Sequence, residues 1–432
     1  MRQGTVIQRA ASSQSAHRAY YTSALVALLA IGQSLALAAD NNFRVSGFGT
    51  LAYAADNNKQ LAAARDISQK PKDSFSTGNS WKIDSRLGVQ AELVITPMAD
   101  LVGQVVVRDH VNANLNSSTE LAYLALRPTA EINLRGGRIS YDAFMMSDHR
   151  HVGYAYTWVR PPLEFYGWIP IFSLDGIDAS YTLESDNATW RIKAQAGRST
   201  NSIPIGDGYD FRANDLLGIS LTRQSDLWRI KAAYSLFSGA NEVPAFAPLH
   251  NGLDQVIAAG IPGISQEAVD LRHNLSFQNA RISYATLGLA YDDGSWLLQS
   301  ELGRSTADAA SIPHGRMAYL SLGHRFADWT PYVMRSTSRP GNDRRPALND
   351  WAPINAQSLQ DIALFTLNST RMEQDTWSVG TRWDVHPQAT LKLQWDHTKI
   401  KPSGYGLWWR DPAINGQTTQ VNLLTATLDF VF

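Results

Sequence analysis

Apolar and polar residues alternate in short segments along almost the whole chain. Between Trp190 and Ala196, the side chains of Trp190, Ile192, Ala194 and Ala196 are interleaved with Arg191, Lys193 and Gln195. Trp228–Tyr234 nearly repeats the pattern, and Trp377–Val385 and Leu391–Asp396 carry it again. A period of two is that of a half-buried strand. The texture continues from Phe43 to Phe432 without a linker. It therefore predicts one all-β domain over residues 39–432, where length alone would suggest two or three domains.

Alternation fits a soluble sandwich as well as a membrane barrel, and the connections separate the two. The short ones are Pro97–Asp100, Pro128–Ala130, Ser185–Asn187, Ser225–Asp226, Asp292–Gly294, Ala327–Asp328 and Pro387–Gln388. Between them lie longer, more polar ones: 56–80, 111–118, 137–176, 200–211, 239–279, 306–315, 341–373 and 401–418. Seven short turns and eight long loops join sixteen strands. Short turns at one end, long loops at the other and an even strand number predict a transmembrane antiparallel β-barrel. Trp190, Trp228, Trp296 and Trp329 follow short turns, while Trp81 and Trp377 follow long loops. That is the placement of aromatic girdles at the two membrane interfaces.

A magnitude assigns the faces. An Arg or Lys turned into lipid at the midplane costs about 2–4 kcal/mol. Arg191 and Lys193 are therefore expected to face the lumen, with Trp190, Ile192 and Ala194 facing lipid. The same rule sends inward Lys82, Asp84, Arg86, Glu92, Arg229, Lys231, Glu301, Arg382, Asp384, Lys392 and Asp396. A lumen lined with both signs of charge should be wet, and sixteen strands leave room for an aqueous channel.

The stretch Gly137–Gly176 fits no regular element. It is aromatic and charged, and Pro161, Pro162, Pro170, Gly153 and Gly167 break any period. Beside it, Val102–Val107 and Leu121–Leu126 are apolar on both faces, and lipid covers only one face of a strand. Residues 139–175 are accordingly expected to fold inward and cover the other. The candidate constriction then comprises Arg138, Asp142, Asp148, His149, Arg150, His151, Arg160 and Glu164 from this stretch. Arg86, Arg108, Arg135, Arg191, Lys193, Arg335 and Arg382 would oppose it from the wall. A basic wall facing a mixed-charge loop sets ion preference, here with a mild bias to anions or carboxylated solutes. His149 and His151 are too few for a closed metal site. The aromatics Tyr154, Tyr156, Trp158, Phe165, Tyr166 and Trp168 are expected to anchor the loop; a slide for sugars is the alternative.

Composition narrows the rest. Arg2, Arg9 and Arg18 precede the apolar run Ala24–Ile31 and the small residues ending at Ala38, which predicts a signal peptide over 1–38. Its removal takes three arginines and no acid, moving the formal net charge from −1 to −4, so no nucleic-acid partner is expected. There is no cysteine, hence no disulfide framework. Neither G-x-S-x-G nor H-E-x-x-H occurs, and no nucleotide loop is present. No catalytic residue, metal or cofactor is expected, and a barrel phospholipase or protease is the alternative from another class.

The last strand, Thr419–Phe432, sets Leu424, Ala426, Leu428, Phe430 and Phe432 on one face and ends on an aromatic. It resembles the assembly signal of Gram-negative outer-membrane proteins. With sixteen strands and a long third external loop, the chain resembles the Gram-negative porins from end to end. The resemblance implies a passive channel for small hydrophilic solutes or ions in the outer membrane. It also implies a third external loop that narrows the pore, lipid around the wall, a homotrimer, and recognition of the strand ending in Phe432 by the assembly machinery.

Overall fold

The computed structural model describes residues 42–70, 78–169, 171–205, 208–402, 408–410 and 417–432. The expected signal peptide, Pro170 and parts of the first and last external loops lie outside the described residues. The chain forms a closed antiparallel barrel of sixteen long strands. They are β1 (Phe43–Asp56), β2 (Arg86–Thr96), β3 (Ala99–Arg108), β4 (Thr119–Leu126), β5 (Ile132–Ser140), β6 (Ser173–Ser185), β7 (Ala188–Ile203) and β8 (Tyr209–Gln224). There follow β9 (Trp228–Gly239), β10 (Arg281–Asp292), β11 (Trp296–Ala307), β12 (Gly315–His324), β13 (Trp329–Pro340), β14 (Gln374–His386), β15 (Ala389–Ile400) and β16 (Thr419–Val431). Each strand pairs with its neighbours in sequence, and β1 closes the ring on β16, Phe48 opposite Val431 and Asp56 opposite Leu423.

Closure leaves no free edge, which membrane-depth backbone requires. The short turns gather at one end and the long loops at the other, as the pattern predicts. The outer face is apolar: Leu217, Ile219 and Leu221 on β8 are exposed, while Gly218 and Ser220 face inward. At the short-turn end Trp329 stacks on Trp383 at 4.8 Å and Trp228 lies 4.6 Å from Tyr291. At the loop end Tyr53 and Trp81 pack at 4.7 Å. Lys82 follows Trp81 outside any strand and is exposed.

Closing the ring places aromatics over glycines. Leu424, Ala426, Leu428, Phe430 and Phe432 share the outer face of β16. A side chain at Gly49 would fall within the ring of Phe430, and one at Gly47 within the ring of Phe432. Two rings thus cover the β1–β16 seam only because their neighbours lack a Cβ.

Beside single helical turns at Leu115–Ser118 and Leu163–Tyr166, two external loops carry long helices that alternation did not predict. Helices α1 (Ala247–Ala258), α2 (Ile264–Asn274) and α3 (Gln357–Ser369) share an apolar cluster including Leu253, Leu271, Trp351 and Leu367. Leu249, Leu253 and Val256 lie on one face of α1, the spacing that buries a helix against partners. The cluster is organised on Glu267, whose carboxylate accepts from the backbone of Leu348 and Asn349 and from Asn349, Trp351 and Gln360 side chains at 2.9–3.1 Å.

Candidate functional site

The segment between β5 and β6 turns into the barrel. Its aromatic and apolar residues, among them Tyr141, Phe144, Met146, Trp158, Phe165 and Ile171, join wall residues such as Phe237, Tyr284 and Met334 in the largest buried cluster among the described residues. Tyr123 of β4 packs against that cluster from the inner wall, and Val102 and Val106 of β3 are buried. The doubly apolar strands are covered on their inner face, and the aromatics are anchors. Phe165 and Tyr319 meet edge-on at 5.4 Å, as do Trp158 and Tyr319 at 5.5 Å.

Polar side chains then fix the loop to most of the ring. Near β7–β9, Asp142 lies 3.2 Å from Lys193, accepts from Ser220 at 2.7 Å, and pairs closely with Lys231. Thr286 of β10 donates to the Ala143 carbonyl at 2.6 Å. Glu301 of β11 accepts from the Met145 amide at 2.9 Å and from the hydroxyls of Tyr319 and Tyr166. Trp158 donates its indole N–H to Ser321 of β12 at 2.7 Å. Glu164 accepts from Ser336 of β13 and from Gln374 and Thr376 of β14. Lys392 of β15 donates to the carbonyls of Gly153, Tyr156 and Trp158 at 2.6–2.8 Å and lies 3.3 Å from Asp429.

Arg160 is the most heavily bonded of these groups. It donates to Asp84 through Nε and Nη2, to Asp396 at 2.8 Å and to Thr425 at 2.6 Å. The first external loop joins it. Arg65 reaches Asp84 at 3.1 Å and the Arg150 carbonyl at 2.9 Å, while the Ile67 amide donates to the Gly167 carbonyl at 2.7 Å. Sequence reasoning missed Arg65 because it sits in a stretch of alanines with no strand period. Lys231, Lys392 and Glu301 were assigned to the lumen by the alternation, yet their bonds to the loop become visible only once the loop has a path.

The remaining candidates sort by position. Arg86 donates to the His151 carbonyl and, at 2.8 Å, to the Tyr156 hydroxyl. Arg108 and Arg150 both lie over the Phe172 ring, at 4.8 and 4.1 Å. Arg135 is paired with Asp178 inside the barrel. His151 lies 3.3 Å from Glu120. Arg382 donates to Asp384 and to the Tyr154 carbonyl. Asp148 is the exposed acid of the loop, and Arg191 is exposed toward the short-turn mouth.

Two expectations fail. Arg335 alternates with the inward Met334 and Ser336, faces outward, and lies 5.1 Å over the Trp377 ring. Arg138 pairs with Asp175 at 2.7 Å on the outer face, held by the Asn116 and Thr119 carbonyls. Arg138 sits two residues from the loop end of β5, and Arg335, mid-strand in β13, is paired with Trp377 near the loop end of β14; toward the interface the cost of a cation facing lipid falls to about 0–1 kcal/mol. The midplane rule does not reach them.

The inner wall is buried where the loop meets it: Lys193, Lys231, Glu301, Ser336, Gln394 and Asp429 are each at most 8 % exposed. A cavity of about 20 Å³ lies beside Arg160 and Glu164 at the edge of the loop. The loop is long enough to cross the barrel, so it meets the wall on both sides.

No protein-family model matches the chain, and no curated protein matches it in sequence. Solved structures do. The OmpF of Salmonella typhi, solved as a complex with daunomycin, superposes with a TM-score of 0.52 at 11% identity, over 90% of this chain and 98% of that one. The anion-selective porin from Comamonas acidovorans gives a TM-score of 0.51 at 10% identity, over 90% of this chain and 100% of that one. The chain has the closed sixteen-strand fold of the Gram-negative porins.

Proposed function

We propose that the protein is a passive outer-membrane channel in which the loop between β5 and β6 sets the passage. The observation that carries this is a closed barrel with an apolar outer wall and charged inner wall, threaded by one of its own external loops. With that loop bonded from β7 round to β16, the described conformation is the narrow end of the channel's range. Small hydrophilic solutes or ions are the cargo. A preference for anions is supported by Arg191, exposed at the short-turn mouth with no ion-pair partner among the described residues. We count the protein as a channel and not an enzyme, since the polar groups around the loop hold it in place and, among the described residues, none of them is arranged as a nucleophile with its base. A homotrimer, contacting through the apolar outer faces of β3 and β4 (Leu101, Val107, Leu124, Leu126), completes the reading.

Purified protein in a planar bilayer should give small ohmic steps, and shortening residues 141–172 should enlarge them. A silent wild-type bilayer with folded protein would sink the channel reading. Reversal potentials in a KCl gradient should favour chloride; a clear cation preference would refute that part. Phospholipid hydrolysis by the purified barrel would favour the enzyme alternative.

A further inference from the structure

The outer wall carries an arrangement of charge that the channel does not use. On β11, β12 and β13, near the loop end, Arg304 stands directly opposite Arg316, and Arg316 directly opposite Arg339. All three alternate with buried inward residues, and Arg304 and Arg316 are exposed on the lipid-facing side. Directly opposed side chains on paired strands have Cβ atoms about 4.5–5.5 Å apart, and like charges there are destabilising. Arg339 is relieved by Asp375 at 2.7 Å. Arg304 and Arg316 have no ion-pair partner among the described residues, and Arg335, opposite Leu320 and 3.9 Å from Asp375, adds a further cation two steps below. A row of cations facing a hydrocarbon boundary calls for an anion.

What lies beneath the row gives that anion a second property. Arg304 is also opposite Ala285, and Ala318 lies one step below Arg316 on the same face. These small side chains adjoin the directly paired Leu287 and Leu302, Ala285 along β10 from Leu287 and Ala318 opposite Leu302, and the groove they line opens outward with about 500 Å³. A cationic rim over an apolar trough matches a phosphate joined to an acyl chain. Membrane cations near a surface attract anionic headgroups on the same principle, and guanidinium forks bind phosphate in bidentate fashion. The wall in question also lies halfway round the ring from β4, so the trimer contact proposed above would leave it facing lipid.

We propose that Arg304 and Arg316, flanked by Arg335 and Arg339, bind the phosphate of a phosphomonoester lipid whose acyl chain lies along Leu302 and Ala318. The proposal rests on the barrel being a membrane protein, but not on its conducting.

The test is native mass spectrometry of the full chain in detergent with dioleoyl phosphatidic acid, dioleoyl phosphatidylcholine or inorganic phosphate. Phosphatidic acid should be retained in preference to phosphatidylcholine. The double variant Arg304→Gln/Arg316→Gln should weaken that binding by about tenfold or more, as expected when charge-assisted bonds are removed. Arg198→Gln, on the outer face of β7 opposite Asp175, should leave it unchanged. Without added lipid, the double variant should melt no lower than the wild type, because it removes a like-charge contact. Equal retention of phosphatidylcholine, or undiminished binding by the double variant, would overturn the proposal. So would a lower lipid-free melting temperature, which would make the row structural. Full competition by inorganic phosphate at matched concentration would overturn the assignment to a lipid. Bilayer conductance plays no part in this readout, so a failed channel reading and a failed lipid site are told apart.

Discussion

Arg160 Nη2 lies 2.6 Å from Asp84 Oδ2, tying the inserted loop to the wall residue just before β2. Both side chains are almost wholly buried, and Asp396 and Thr425 take the rest of the guanidinium. Removing one partner of a buried pair costs about 3–5 kcal/mol, because the charge left behind stays desolvated. Arg160→Ala strands Asp396 in this way, while Asp84 keeps Arg65 at 3.1 Å. The variant should show larger unitary conductance and a lower melting temperature in detergent. Arg160→Lys should recover little, since a lysine cannot span Asp84 and Asp396 together. Unchanged conductance in a folded Arg160→Ala barrel would mean that this contact does not restrain the loop.

Gly153 provides a test of the same loop without removing a charge. A Cβ there would lie 1.9 Å from Asp429 Oδ1 and 2.7 Å from Thr50 Oγ1, on the seam of β1 and β16. Asp429 is itself fixed by Thr50 and Lys392, so it has little room to yield. Gly153→Ala should therefore lift the turn from the seam, weakening the bond from Lys392 to the Gly153 carbonyl. Overpacking of this kind costs about 1–3 kcal/mol. Single-channel recording should show wider or noisier steps than wild type, and a trace identical to wild type would argue that the turn is not seated on this wall.

How far the molecule was legible follows from these contacts. The alternation in Trp190–Ala196 or Leu391–Asp396 identifies strands and their inward faces because lipid on one side enforces a two-residue period. The seven turns follow from the same pattern. Arg138 and Arg335 broke the charge rule because their depth, and not their type, sets the cost of facing outward. The loop announced itself by failing every period, but its partners are set by tertiary reach: Asp142 to Lys231, Glu164 to Gln374, Trp158 to Ser321. No local pattern encodes those pairs. Helix α1 did leave a signal, in the spacing of Leu249, Leu253 and Val256, which a reading tuned to period two passes over.

Glu267 makes the external helical cluster sensitive to acid. Burial pushes its carboxyl up, but donors from Leu348, Asn349, Gln360 and Trp351 outweigh this and hold it below the usual carboxylate range. A lowered folded value means that the stabilisation is complete above the unfolded carboxylate value, near 4.5, and is lost as pH falls through the folded one. Hydrogen exchange in α2 and α3 should therefore stay slow at neutral pH and rise as pH falls below the unfolded carboxylate value, while the barrel strands remain protected. Glu267→Ala should show the fast exchange at neutral pH, since each buried donor left without an acceptor costs about 1–3 kcal/mol. Acid-independent exchange in wild type would remove Glu267 from this role.

The terminal ring should matter for closing the barrel more than for its finished stability. Phe432 lies over Gly47 and shares two backbone hydrogen bonds with it, Gly47 N to Phe432 O at 2.8 Å and Phe432 N to Gly47 O at 3.0 Å. The last residue thus makes one of the contacts that join β16 to β1, the pairing with the longest sequence separation in the ring. Phe432→Ala keeps the backbone bonds and removes ring burial, worth about 1.5–3 kcal/mol for a fully buried side chain and less at this half-exposed position. Gly47→Val keeps the ring but drives it off the seam. If seam packing alone governs folding, both variants should slow refolding into detergent micelles by similar factors, read as the appearance of the heat-resistant compact band on gels. If Phe432 is also read by the assembly machinery, Phe432→Ala should lower barrel yield in cells far more than Gly47→Val does. Equal cellular yields beside equal refolding rates would leave the ring a packing residue only.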